Sequence, residues 1–88
     1  MRQPRHFSSM PRYYFDLREG DQIALDEEGL EFDSLDQAQV EAARSLAELA
    51  RDAIRHAPHR FSYQKSVEVR DDSGPVMEAR FTFKLEKK

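Results

Sequence analysis

Residues 34–57 read SLDQAQVEAARSLAELARDAIRHA, and this stretch decides the fold. Leu35, Ala38, Ala42, Leu46, Leu49 and Ala53 recur at spacings of three and four, and Ala43, Ala50, Ile54 and Ala57 widen the stripe. Asp36, Glu41, Arg44, Glu48, Arg51, Asp52 and Arg55 fall mostly on the other side. That is the pattern of an amphipathic α-helix. Ser34 with Gln37 three residues on forms a capping box, which supplies partners to backbone donors left over at a helix start. Glu41–Arg44 and Glu48–Arg51 are spaced to pair along one face. Acids come early and His56 late, as the helix dipole favours. Pro58 is the expected stop.

Many of the inward residues of this helix are alanines, so it can lie close to a sheet that supplies the bulk. The flanking sequence supplies such a sheet. In RYYFDLR (12–18), Tyr13, Phe15 and Leu17 alternate with Arg12, Tyr14, Asp16 and Arg18, the period of a half-buried strand. Glu19-Gly20-Asp21 reads as a turn and Gln22–Leu25 as a short second strand, which Leu30 and Phe32 extend or resume beyond Gly29. After the helix, Tyr63, Lys65, Val67 and Val69 share one face of a strand. Asp71-Asp72-Ser73-Gly74 turns the chain, and Met77, Ala79, Phe81, Phe83 and Leu85 share one face of the return strand. Pro75 suits the beginning of that strand. A helix of about 22 residues spans roughly 33 Å, and a ten-residue strand about the same. The expected fold is α+β and two-layered: a four-stranded antiparallel sheet (ββαββ) with one long helix packed on one face. The first and fourth strands, being the most aromatic, are expected at the centre.

The chain has 88 residues, no cysteine and a net charge of −3. The length suits a single domain, assigned here to residues 10–86. Residues 1–9 read as a basic, disordered tail and 87–88 as a frayed end. Met10, where the ordered pattern begins, is a candidate start of translation. The lack of cysteine excludes disulfides, zinc–thiolate sites and cysteine nucleophiles. The acidic balance withholds the global basic field that nucleic-acid binding exploits. The first nine residues hold no apolar run of a signal peptide, and no stretch approaches a membrane span, so a cytoplasmic location without membrane contact is expected.

Two surface groups stand out. With Tyr13 and Phe81 facing the helix, the reverse of the sheet carries Arg12, Tyr14, Arg70, Arg80, Thr82 and Lys84, a candidate interaction face interspersed with Asp16, Glu68 and Glu78. Residues 19–36 hold eight acids and no lysine or arginine, and Asp26, Glu27, Glu28 and Glu31 form a candidate acidic partner patch. The D-x-[DN]-x-[DN]-G spacing of a calcium loop is absent from it. His56 and His59 flank Pro58 without the i,i+4 spacing of a helical metal pair, and the serines show no G-x-S-x-G elbow. With three glycines there is no phosphate-cradling loop. No catalytic residue, cofactor site or metal site is assigned.

The opening MPRYYFDLREG, the following LDEEGLEF, the alanine-rich helix and the closing VEVRDDSGPVMEARFTFKL resemble a known family. It comprises small bacterial proteins, common in alphaproteobacteria such as rhizobia, grouped as an uncharacterised domain of unknown function. Its members open with M-P-R-Y-[YF]-F-x-[LIV] and an acidic D-x-x-G segment, and end in a hairpin of the form VxVRDxxGxxL. The resemblance covers about residues 10–86. It implies these domain boundaries and brings no activity, cofactor or catalytic residue with it.

Three functions remain in play. The leading expectation is a non-enzymatic protein-interaction or accessory module that binds an unknown protein partner or itself as a homodimer. A domain this small buries only about 60% of its unfolded surface, so self-association would add burial. The alternatives are nucleic-acid binding through the open sheet face and, least favoured, a small ligand binder or enzyme.

Overall fold

A computed structural model describes residues 10–57, 59 and 61–88. The basic tail 1–9 and the helix stop at Pro58 lie outside the described residues. The element order is β1 (Arg12–Glu19), β2 (Gln22–Ala24), β3 (Leu30–Glu31), α1 (Leu35–His56), β4 (Ser62–Asp71) and β5 (Gly74–Lys84). The expected α+β fold is the observed one. One long helix contacts β4 and β5 of an antiparallel sheet ordered β2-β1-β4-β5. The resumed strand is a separate two-residue element, β3, which pairs with β1 through Arg12↔Glu31 and Tyr13↔Leu30.

The helix begins where its cap predicts. The Gln37 N–H donates to Ser34 Oγ at 3.3 Å. The return half of the box is shifted by one residue: Gln37 Oε1 accepts from the Asp33 N–H at 3.1 Å. At the far end the Ala57 N–H donates to the Ala53 carbonyl, and Ala57 adopts φ −142°, outside the helical region. The Ala57 carbonyl then accepts a hydrogen bond from the Tyr63 hydroxyl, which ties the helix end to β4.

The core is built as the alanines imply. Ala38 and Ala42 are buried against Tyr13, Phe15, Val67 and Val69, with Leu17, Phe32, Leu46, Met77 and Ala79 around them. Phe32, the residue after β3, meets Phe15 edge-on at 6.1 Å between ring centres and adds an aromatic contact at that end of the core.

The expected strand order needs one correction. β1 is central, but its central neighbour is β4, and the strongly aromatic β5 forms an edge. Val67 and Val69 of β4 are 0% exposed, whereas Phe81 and Phe83 are only half-buried. The reason is position in the sheet. β4 lies directly beneath the alanine-lined helix, and its valines are closed over beside Tyr13 and Phe15 of β1. Phe81 and Phe83 belong to an edge strand, where one side of each ring is left uncovered. Aromatic content therefore does not mark depth.

Candidate interaction surface

β2 and β3 lie on the same edge of β1, separated by the loop at residues 25–29. In β1 the odd-numbered residues present backbone to this edge. Leu17 pairs with Ala24 of β2 and Tyr13 with Leu30 of β3. Phe15, midway between them, has no strand partner there. Its N–H donates to Asp26 Oδ2 at 3.1 Å, so a side chain closes the gap that the two strand fragments leave. The other carboxylate oxygen of Asp26 accepts from Glu28 N–H at 3.1 Å and Gly29 N–H at 3.2 Å, which fixes the loop's shape. Gly29 has φ +70°, and a Cβ there would lie 2.8 Å from the Tyr13 carbonyl oxygen. The loop is thus pressed against β1 at a position only glycine fits.

Asp16 anchors the same loop from the reverse face. It is 2% exposed. Its Oδ1 accepts from the Asp26 N–H at 2.9 Å, and its Oδ2 accepts from Arg70 Nε at 2.8 Å. Arg70 also donates to the Asp26 carbonyl at 2.9 Å. Its guanidinium lies over the Tyr14 ring, 4.5 Å from the centroid. Partial burial pushes the Asp26 carboxyl up. The amides of Phe15, Gly29 and Glu28, together with the charge of Arg70, outweigh it and hold the group below the ordinary aspartate value. The hydrogen bond to Asp16 raises the Arg70 guanidinium further above its already high value.

The two candidate patches are therefore neighbours that partly satisfy each other. Arg12 donates to the Glu28 carbonyl at 2.6 Å and pairs with Glu31 at 3.1 Å. Arg70 is engaged with Asp16 and lies over Tyr14, and the Asp26 carboxylate is turned onto the β1 and loop amides. Glu27 is exposed. The remaining face residues, Arg80, Thr82 and Lys84, lie apart on β5 and are exposed. Arg80 pairs with Glu78 at 3.1 Å, and Lys84 with Glu86 at 3.8 Å.

Two residues that matter were not singled out from sequence. Asp16 looked like one of several interspersed acids, and only the loop's return over β1 reveals its burial. Lys65 occupies an inward position among Tyr63, Val67 and Val69, and that parity was the available signal. It is 5% exposed and bridges to Glu19. It borders an open groove of about 620 Å³ at the β1–β2 turn and a smaller one of about 320 Å³ against Asp52 and His56 of the helix. His56 sits 3.4 Å from Asp52, a pair local to the helix end. Among the described residues, no group of three or more histidine, aspartate or glutamate side chains is arranged to hold a metal ion. None of their helices is long and apolar enough to cross a membrane.

β5 borders the sheet on the side away from β1. The Leu85 N–H donates to the Phe61 carbonyl at 2.8 Å, and the register continues through Lys84↔Ser62 and Phe83↔Tyr63. Antiparallel pairing alternates, so odd-numbered residues of β5 turn their backbone groups to β4. Glu78, Arg80, Thr82 and Lys84 turn theirs outward, to an edge on which, among the described residues, the sheet places no further strand.

No curated protein and no solved structure matches the chain. Residues 12–82, spanning β1 to most of β5, match the family model described as Domain of unknown function (DUF6894), and the chain belongs to that family.

Proposed function

We propose that this domain is a non-enzymatic protein-interaction module that works through its free sheet edge, pairing with a partner protein or with itself. The observation that carries the reading is the contrast between the two edges. On β1 even the Phe15 amide, which lacks a strand partner, is satisfied by Asp26. On β5, four successive outward-facing residues lie beside no strand of the described residues. Unpaired edge amides are templates for strand addition.

The same geometry weighs against nucleic-acid binding on the open face. Base stacking needs an uncovered aromatic ring. Arg70 lies over Tyr14, and Arg12 is engaged by Glu31. Labelled single-stranded oligonucleotides at low salt separate the readings: a salt-dependent shift would favour the nucleic-acid alternative.

The test is affinity capture from the native host with the full chain, run in parallel with a Thr82→Pro variant. Thr82 directs its N–H outward, so proline there blocks strand addition and leaves the β4–β5 ladder intact. Capture of a defined partner, or of untagged copies of the chain, that is lost in the variant supports the module. Equal recovery from both, or recovery from neither, overturns it.

A further inference from the structure

We propose that the occupant of the β5 edge is a second copy of this chain, paired antiparallel about a two-fold axis at Phe81. This rests on the edge-pairing reading above and names its partner. A two-fold axis pairs β5 with itself in a limited set of registers, and side-chain charge sorts them. An axis at Arg80 sets Arg80 against itself. An axis at Thr82 sets Arg80 against Lys84 of the other copy. Both oppose like charges directly.

An axis at Phe81 instead sets Glu78 against Lys84 of the second copy, and Arg80 against Thr82, each twice. All four outward-facing residues are then paired among themselves. The register also stays clear of the irregularity near Val69 and Arg70, where the β4–β5 pairing shifts by one residue. An axis at Ala79 also opposes unlike charges, Glu78 to Arg80, but it draws that irregular end into the interface.

Charges on an edge strand can serve as guards against pairing. Here both signs are present, Glu78 against Arg80 and Lys84, and they lie on the wet face. The inner face of β5 carries Met77, Ala79, Phe81 and Phe83, all half-buried. About the Phe81 axis, the two Phe81 rings adjoin and Ala79 meets Phe83, which covers apolar surface that a lone copy leaves partly wet.

The helix layer fits the same arrangement. Ser45, Glu48 and Asp52 line the groove against Phe15 and Leu17 of β1. The flank opposite them on the helical wheel, turned away from that groove, carries Val40, Ala43, Ala47, Ala50 and Ile54. α1 contacts both β4 and β5. With strands about 4.8 Å apart, a helix centred between β4 and β5 in each copy places the two helices about 10 Å apart, at the upper end of helix-packing distance. Alanine flanks permit that approach.

The experiment is sedimentation over a wide concentration range on wild type, Thr82→Pro, Glu78→Lys, Lys84→Glu and an equimolar mixture of the last two. Wild type is expected to dimerise and Thr82→Pro to stay monomeric with an unchanged circular dichroism spectrum. Each charge variant is expected to weaken self-association about ten- to thirtyfold, from two unlike pairs turned into like ones. The mixture restores both pairs and recovers the dimer. Glu78 lies opposite Glu68 within the chain, so its replacement by lysine relieves a like-charge pair and does not endanger folding. A monomeric wild type at millimolar concentration overturns the inference. So does a dimer indifferent to Thr82→Pro, or charge variants that the mixture fails to rescue. If the wild type is monomeric and host capture is still lost in Thr82→Pro, the edge-pairing module survives with a different occupant. If no variant-sensitive capture occurs either, both fail.

Discussion

Replacing Asp26 by asparagine changes one atom and the charge, and it strikes the point where the interrupted edge of β1 is closed. The carboxylate accepts three backbone N–H groups, one on Oδ2 and two on Oδ1. Asparagine has one acceptor oxygen. If that oxygen faces Glu28 and Gly29, the amide NH2 confronts the Phe15 N–H. If it faces Phe15, the NH2 confronts the other two. At least one part-buried amide is left against a donor in either rotamer. Bonds to charged acceptors are worth about 1.5–3 kcal/mol each and are not additive, so the expected loss is about 3 kcal/mol. With a urea slope of about 1 kcal/mol per molar for a small domain, the midpoint falls by about 3 M at neutral pH.

The pH dependence follows from the depressed carboxyl. Its stabilisation is complete above the unfolded value of 3.8 and is lost as pH falls through the lower folded value. The gap between wild type and Asp26→Asn therefore narrows in acid. Urea unfolding at neutral pH and near pH 3, followed by circular dichroism, measures both effects. A loss under about 0.5 kcal/mol at neutral pH would refute the assignment, since surface changes fall within that range.

Three further outcomes are expected. Gly29→Ala should cost about 3 kcal/mol or more, because a positive φ is combined with a backbone clash; Gly20→Ala, at φ +61° with nothing near its Cβ, should cost about 1 kcal/mol, and thermal unfolding of the pair checks the contrast. Ser34→Ala should lower stability by about 1 kcal/mol by removing the cap, with helix content in the folded state unchanged by circular dichroism. Val67→Ala should cost about 2–3 kcal/mol in denaturant unfolding, more than Phe83→Leu on the half-buried flank, because Val67 lies in the closed layer under the helix.

Much of the fold was legible because it rests on local signals. The helix has an unbroken 3.6-residue stripe and a cap, and the closing hairpin has strict alternation around a turn. Both landed where their residues placed them. The strand order was not legible, because aromatic content does not report position in the sheet: Tyr13 and Phe15 of central β1 are buried with the β4 valines, while Phe81 and Phe83 of edge strand β5 stay half-buried. The surface was half legible. Arg12, Tyr14 and Arg70 do share the reverse face. What sequence spacing hid was the return of residues 25–29 across β1, which brings the acidic loop onto that face and turns Asp26 from a patch residue into a backbone acceptor. Asp16 was missed for the same reason: its partners Arg70 and the Asp26 amide are distant in the chain. Lys65 was readable in principle, as a lysine on the inward parity of a valine strand, but its bridge to Glu19 depends on the β1–β4 register.

The contrast between a sealed β1 edge and an open β5 edge is tested most directly by native-state amide hydrogen exchange on dilute protein. The amide of Phe15 is to be compared with those of Glu78, Arg80, Thr82 and Lys84. The expected result is a Phe15 amide protected like that of its paired neighbour Leu17, while the four β5 amides exchange orders of magnitude faster. A Phe15 amide exchanging as fast as those four, or four β5 amides as slow as Phe15 at the lowest concentration, would contradict it.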